Sequence, residues 1–372
     1  MIKAIDFFCG GGGMTNGLKQ AGIQVLAGID IDAKCKETYE YNNAPAKFIE
    51  ANIASLEIEI LEKGYVADDG SKIKIEKDDD NLLFVGCSPC QYFSIMNTDK
   101  TKSESSRNLL DDFRRFVEYF NPGFVVIENV PGILSHRDSP LNNFIDFLSE
   151  KDYFSIDRKV IKVCDYGVPQ TRKRFVLIAS RVKHVFLPEP SKDSTLTVRT
   201  FIGDKEKFPE INAGQRDETD FCHTAAGLSE KNLARIALTK PNGGTREGWQ
   251  DTELQLPVYE KHRRNGEFGF QDIYGRMFWD KPAPTITTRF YSLSNGRFGH
   301  PEQNRALSLR EGATLQTFPP DYVFKQNSVA DISRIIGNAV PPELARKIGM
   351  AIQEDKTGYK ANGFAGRLFE GL

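Results

Sequence analysis

Short apolar runs alternate with helix-spaced segments through the first half of the chain. Ile2–Phe8, Ile23–Ile29, Leu82–Val85 and Phe124–Ile127 read as buried strands. Met14–Gln20, Ala33–Tyr41 and Leu109–Tyr119 carry apolar residues at helical spacing, the first stopped at Gly22. This rhythm predicts a parallel sheet with helices on both faces. The charged stretch Glu57–Asp80 is predicted to be a loop or lid-like excursion. After Asp157 the rhythm changes. Arg158–Val163 and Arg174–Ser180 read as strands joined by the loop Cys164–Lys173, and Leu187-Pro188-Glu189-Pro190 as a linker. From there to about Ala306 the chain is richer in Gly, Asn and Arg and shows no strand–helix alternation, which predicts a separate, smaller unit. Ile335–Pro342 reads as a turn, followed by an amphipathic helix over Glu343–Gln353 that returns to the sheet. The sheet-bearing unit is accordingly placed at 1–182 and 330–372, and the smaller one, with its hinge, at 183–329.

Composition narrows the class. At 372 residues the chain is long enough for two domains, and 40% hydrophobic with 27% charged residues is ordinary for a soluble globular protein. The N-terminus has no signal-peptide layout, and no apolar run approaches the ~20 residues of a membrane span. A soluble, cytoplasmic protein without membrane association is expected. Six cysteines at 9, 35, 87, 90, 164 and 222 show no repeated spacing, which argues against a disulfide framework. The net charge of −2 says nothing of nucleic acid, but its distribution does. Residues 1–182 hold 23 Lys and Arg against 27 Asp and Glu, whereas 261–297 hold seven basic residues against three acids. A basic stretch is usually a solvated face; set against an acidic N-terminal part, it points weakly to phosphate contact.

Three features carry candidate chemistry. The first is Gly86-Cys87-Ser88-Pro89-Cys90-Gln91-Tyr92-Phe93-Ser94, directly after the run Asn81–Val85. It presents Cys90 at the carboxyl end of a strand, where ligands collect in open α/β sheets. A thiol at such a turn can be held as the nucleophilic thiolate, although a free Cys is more often an inert core residue. Cys87 and Cys90 also form a C-x-x-C pair, open to a redox reading; a zinc site would need a second ligand pair, which is absent. The second feature is Gly10-Gly11-Gly12-Gly13 between a strand and a helix, with Asp30 closing the next strand. That is the layout of an adenosine site, with an acid for the ribose hydroxyls. Thr15 and Asn16 stand where a strict G-x-G-x-x-G would place its third glycine, so a pyrophosphate is not the obvious guest. S-adenosylmethionine, with ribose and adenine but no phosphate, fits better. The third is Glu128-Asn129-Val130 at another strand end, beside Gln170-Thr171-Arg172-Lys173-Arg174. A strand-end Glu is commonly a satisfied structural acid and a basic loop commonly a solvated one; a nucleophile at the same edge favours the functional reading.

Taken in order, these strings resemble the cytosine-C5 DNA methyltransferases of bacterial or phage modification systems over nearly the whole chain. The matching segments are Asp6–Gly13, Asp30, Pro89-Cys90-Gln91, Glu128-Asn129-Val130, Gln170-x-Arg172-x-Arg174, Arg305–Pro319 and Gly337–Pro342. One departure is Ala51-Asn52-Ile53 where the family has Gly-Asp-Ile; the Asn carbonyl can still accept from the adenine amino group, but without charge. The resemblance implies an α/β, Rossmann-like S-adenosylmethionine-dependent methyltransferase sheet with a second, smaller target-recognition domain. It implies Cys90 as the nucleophile adding to carbon 6 of a flipped-out cytosine, Glu128 as the acid at N3, and Arg172 and Arg174 as electrostatic clamps. Phe8, Gly10, Gly12, Asp30, Ile31, Asn52, Pro89 and Asn338 would hold S-adenosyl-L-methionine. Gln91, Ser94, Arg246, Arg263, Arg264, Arg276 and Arg289 are the candidate contacts to double-stranded DNA. A monomer is expected, with a cognate restriction endonuclease acting separately as a companion. A tRNA cytosine methyltransferase would share the catalytic motifs, but the hundred or so residues between Arg181 and Thr285 exceed a minimal scaffold and favour DNA reading. A C-x-x-C oxidoreductase would leave the glycine loop, Glu128 and residues 170–174 unexplained.

Overall fold

The computed structural model describes residues 1–89, 108–136, 139–191, 195–249, 252–256, 272–326 and 328–354. The chain opens with β1 (Lys3–Phe7), α1 (Gly13–Gln20), β2 (Gln24–Asp30), α2 (Lys36–Asn43) and β3 (Lys47–Glu50). A short helix, α3 (Ile60–Lys63), and a hairpin of β4 (Tyr65–Val66) and β5 (Lys72–Ile73) lead to β6 (Leu82–Gly86). Then come α4 (Leu109–Phe120), β7 (Phe124–Asn129), α5 (Leu141–Glu150), β8 (Ser155–Lys162) and β9 (Lys173–Ser180). Beyond these lie α6 (Val198–Ile202), α7 (Glu230–Leu238), α8 (Leu309–Leu315), α9 (Val329–Asn338) and α10 (Pro342–Gln353). Among the described residues no helix is long and apolar enough to cross a membrane.

Seven strands form one sheet in the order β3-β2-β1-β6-β7-β9-β8. The pairs from β3 through β7 are parallel, and β9 runs antiparallel to both of its neighbours. Side chains alternate across the pleat, so consecutive residues enter opposite layers. Ala4, Val25, Leu83, Val85, Val126 and Ile178 face one apolar layer; Ile5, Ala27, Phe84, Val125, Ile127 and Leu177 face the other. The first layer is completed by α1, α9 and α10 through Leu18, Ile336, Leu344 and Ile348. The second is completed by α4 and α5 through Phe113, Phe116, Phe120, Phe144 and Phe147. The resulting α/β sheet with helices on both faces is the architecture expected. Its strand order reverses between β1 and β6, and the crevice outside that switch point is where such sheets bind ligands.

Several local expectations change. Lys47–Glu50 is an added strand, too short and too charged at its ends to stand out in the sequence. Leu141–Glu150 is a helix whose Leu141, Phe144, Phe147 and Leu148 are buried at helical spacing. The charged excursion 57–80 holds α3 and the hairpin, and is not loop throughout. Ile335–Asn338 is the last turn of α9, so the chain first turns at Ala339. Gly337 is there for proximity rather than for a bend: a Cβ on it would lie 2.4 Å from the main chain of Thr287 and Thr288. Residues 183–329 contribute Val198, Ile202, Met277, Trp279, Phe290 and Phe298 to the sheet's own first layer. A separate small cluster in that region comprises Ile236, Trp249, Tyr274, Leu293 and Ala306.

Candidate active site

At the carboxyl end of β1 the chain enters the glycine loop through Phe8, Gly10 and Gly12, all with positive φ (62°, 50° and 88°). That region suits glycine and strains Phe8. A Cβ on Gly10 would meet nothing within 4 Å, so the loop opens onto free space there. On Gly12 it would lie 2.2 Å from Asn43 Nδ2, so this glycine is required by packing. Asp30, at the end of β2, accepts from the amide of Gly10 (2.8 Å) and that of Asp32 (2.9 Å). Burial raises its pKa. Beside it Ile31 is 66% exposed, an apolar surface next to a carboxylate. Asn338 and Pro89 are exposed. Asn52 is exposed too, and its side-chain oxygen accepts from the Ala54 amide at 3.1 Å.

A buried polar network underlies the loop. Thr15 donates to Asp6 at 2.7 Å and shares a hydrogen bond with the Tyr39 hydroxyl at 3.0 Å. Asn43 donates to the Tyr322 hydroxyl at 3.1 Å, and Tyr322 donates to the carbonyl of Gly11. Burial pushes the Asp6 carboxyl up to about 7.

The second part of the edge lies after β6 and β7. Cys90, Gln91 and Ser94 lie outside the described residues, but the turn that leads to them is held. Asn129 donates to Ser88 Oγ at 3.1 Å, and its own oxygen accepts from the Val130 amide at 2.9 Å. Glu128, 5% exposed, forms an ion pair with Arg174, Oε1 to Nε 2.8 Å. The antiparallel course of β9 makes this possible: Asn129 pairs with Phe175, so the start of β9 sits at the end of β7. Arg172 is buried and donates to the carbonyls of Ile286 and Gly337, each at 3.2 Å. Its placement is therefore tied to the main chain of two distant segments.

Residues 2–354 match the family model for the C-5 cytosine-specific DNA methylases. The chain belongs to that family. It is 40% identical to the type II methylase M.HgiDII of Herpetosiphon aurantiacus over 94% of both chains. It is 32% identical to the type II methyltransferase M1.HphI of Haemophilus parahaemolyticus, over 96% of this chain and 88% of that one. Among solved structures, Spodoptera frugiperda DNMT2 superposes with a TM-score of 0.60 at 15% identity, covering 95% of this chain and 100% of that one. A likeness at that identity speaks to the fold alone. This C-5 cytosine DNA methylase is thus an enzyme.

The candidate DNA contacts of this methylase divide on inspection. Arg289 is exposed and Arg246 half-buried, while Arg263 and Arg264 lie outside the described residues. Arg276, expected at the DNA, is instead 2% exposed and turned inward. Its guanidinium donates to the carbonyls of Thr239 (2.9 Å), Ile236 (2.8 Å), His300 (3.0 Å) and Gln303 (2.5 Å), and to Asn304 Oδ1 (2.5 Å). An arginine committed to five acceptors is a strut and offers nothing to a phosphate. The sequence assigned no role to Thr15, Tyr39, Ser88, Gln316 or Tyr322. Each is a polar residue in or near a motif, and only its burial, which spacing does not disclose, marks it.

Proposed function

We propose that this methylase takes its methyl group from S-adenosyl-L-methionine and acts on a flipped-out cytosine in a specific double-stranded DNA sequence, through a covalent adduct of Cys90. The reading rests above all on one juxtaposition: the Glu128–Arg174 pair and the Asn129-held turn before Cys90 share a sheet edge with the open Gly10 loop and Asp30. The cofactor's chemistry fits the residues present. Gly10 leaves room for close approach, Asp30 keeps lone pairs for ribose hydroxyls, and exposed Ile31 offers an apolar face to adenine. Phe8, Gly12, Asn52, Pro89 and Asn338 complete the set. When bound, the cofactor supplies an electrophilic methyl carbon.

The protein's own groups do the rest. Cys90 thiolate adds to carbon 6 of cytosine, which makes carbon 5 nucleophilic. Glu128 stabilises or protonates N3 as electron density builds there, and Arg174, paired with it, fixes its position. Arg172, held by the carbonyls of Ile286 and Gly337, would add a local positive charge near the adduct. Carbon 5 then takes the methyl group, a base accepts the carbon 5 proton, and Cys90 departs as the bond from its sulfur to carbon 6 breaks. Gln91 and Ser94 would meet the DNA beside the extruded base. Residues 183–329, with Arg246, Arg263, Arg264 and Arg289, would grip phosphates and read base edges. The reading includes a monomeric, cytoplasmic enzyme, with a cognate restriction endonuclease acting separately. Methylation-sensitive sequencing of DNA from an expressing host tests it: C5-methylcytosine at one recurrent sequence is expected. Unmodified DNA, or label transferred only to tRNA, refutes it.

A further inference from the structure

Gln170 and Gln316 are both fully buried. They face each other: Gln170 Nε2 donates to Gln316 Oε1 at 2.7 Å and to the carbonyl of Leu315 at 2.8 Å. Gln170 Oε1 accepts from the Ile286 amide at 3.0 Å. Gln316 Nε2 donates to the carbonyls of Ile336 (2.6 Å) and Ala339 (3.4 Å). Two side-chain amides thus connect the loop of Arg172 and Arg174, the strip around Ile286, the end of α8 and the turn that follows α9. Main-chain bonds reinforce the first junction, with Ala283 donating to Pro169 at 2.8 Å and accepting from Thr171 at 2.9 Å. Arg172 spans the same ground, donating to Ile286 and Gly337.

The directions of these bonds matter. Every polar atom of both amides is engaged, and the chain of donors runs one way, from Gln170 through Gln316 to the carbonyls of Ile336 and Ala339. A buried, fully satisfied polar network of this kind specifies one arrangement, because any slip leaves an amide or carbonyl without a partner. Asn338 lies between the two carbonyls that Gln316 holds. The arginine loop and the α9 turn, 165 residues apart in sequence at Arg172 and Gly337, are thus joined by direct side-chain bonds.

We propose that the Gln170–Gln316 pair is a positioning bridge that sets the arginine loop and the cofactor-side turn of α9 by one another, so that a change on the arginine side is felt at the cofactor. Both glutamines are positioning residues, acting through Arg172, Arg174 and Asn338. The inference rests on the site roles proposed above for those three residues.

The test is a double-mutant cycle with Gln170→Met and Gln316→Met, reading kcat on DNA and, by calorimetry, the Kd for S-adenosylmethionine. Each single variant should lower kcat by about tenfold or more, since small misplacements of clamping groups are costly. Gln170→Met should also raise the cofactor Kd by at least about threefold. The double variant should be no more than about twofold worse than the worse single, because a shared contact is lost once. Leu148→Ala, in the opposite apolar layer, serves as a stability-matched control and should leave kcat within about twofold of wild type. If Gln170→Met does not fold, Gln170→Glu keeps the size and the acceptor for Ile286 and replaces it in the cycle. Wild-type values for Gln170→Met, fully multiplicative effects in the double variant, or the same kcat loss in Leu148→Ala each overturn the bridge. The site reading fails separately: unchanged activity in Arg174→Ala removes it while the cofactor Kd still reports on the bridge.

Discussion

Within the sheet, neighbours such as Val125 and Val126 enter opposite apolar layers while the ladder to β6 and β9 satisfies their amides. In residues 183–329, where the described helices are few and short, the same tasks fall to buried arginines. Arg276 gathers four carbonyls and Asn304; Arg310 gathers those of Phe221, Asp220, Pro319 and Tyr322. Arg305 makes a bidentate pair with Glu311, both bonds at 2.7 Å and both residues fully buried. Buried main-chain carbonyls need donors, and a guanidinium carries five of them in a fixed fork. An irregular region can therefore be pinned without a ladder, provided its arginines face inward. The lesson for function is that arginine content alone does not measure a DNA-binding surface.

The sharpest way to break this comparison is to cut one strut. Arg305→Ala strands a buried Glu311 carboxylate and should cost about 3–5 kcal/mol in urea unfolding. Removing the half-exposed Lys3–Asp79 pair at the sheet, by Lys3→Ala, should cost less than about 1 kcal/mol. Equal losses would show that the arginines do not carry the irregular region.

Next in size is Asp30→Ala, which should weaken S-adenosylmethionine binding by about 1–3 kcal/mol in a calorimetric titration. Tight NAD binding with no response to S-adenosylmethionine would instead restore the oxidoreductase reading.

The two regions should also differ in their response to pH. Burial lifts Asp6 from 3.8 to about 7, so between roughly pH 4 and 7 the folded protein keeps a proton that the unfolded chain has lost. Its stabilising share is full below that window and is lost as pH rises through it. Glu311 has the opposite sign: burial raises its pKa, but Arg305 outweighs burial and brings it to about 2, so its share is lost only as pH falls below about 4.5. Asp6→Asn can still accept from Thr15. The difference in Tm between Asp6→Asn and its parent should grow in the variant's favour from pH 4 to 7 and level off above. A constant difference contradicts the burial of Asp6 as a neutral acid.

The smallest effect concerns the surface. Arg289→Ala should weaken DNA binding across all sequences and reduce the slope of log K against log salt by about one. Arg276→Lys, at a strut, should lower Tm and leave that slope unchanged.

How much of this was legible beforehand follows the same division. The short apolar runs announced β1, β2, β6 and β7, and with them the edge that carries the glycine loop, Asp30 and Glu128, because strands covered on both faces read as continuous apolar runs. Gly337 misled, being a glycine of close approach inside a helix rather than a turn. Arg276 misled because a basic residue in a basic stretch has the same letter whether it faces carbonyls or solvent. Gln170 stood in a recognised motif, yet its partner 146 residues away could be found only by folding the chain.

The central claim is that Cys90 forms the covalent bond. A DNA duplex carrying 5-fluorocytosine at the target blocks the final proton loss, so with S-adenosylmethionine present a protein–DNA adduct should accumulate and map to the peptide containing Cys90. Cys90→Ser should abolish both adduct and methylation, since a hydroxyl is scarcely ionised where a thiol partly is, whereas Cys87→Ser should keep most activity. An adduct that survives Cys90→Ser, or full loss of activity in Cys87→Ser, would contradict the account.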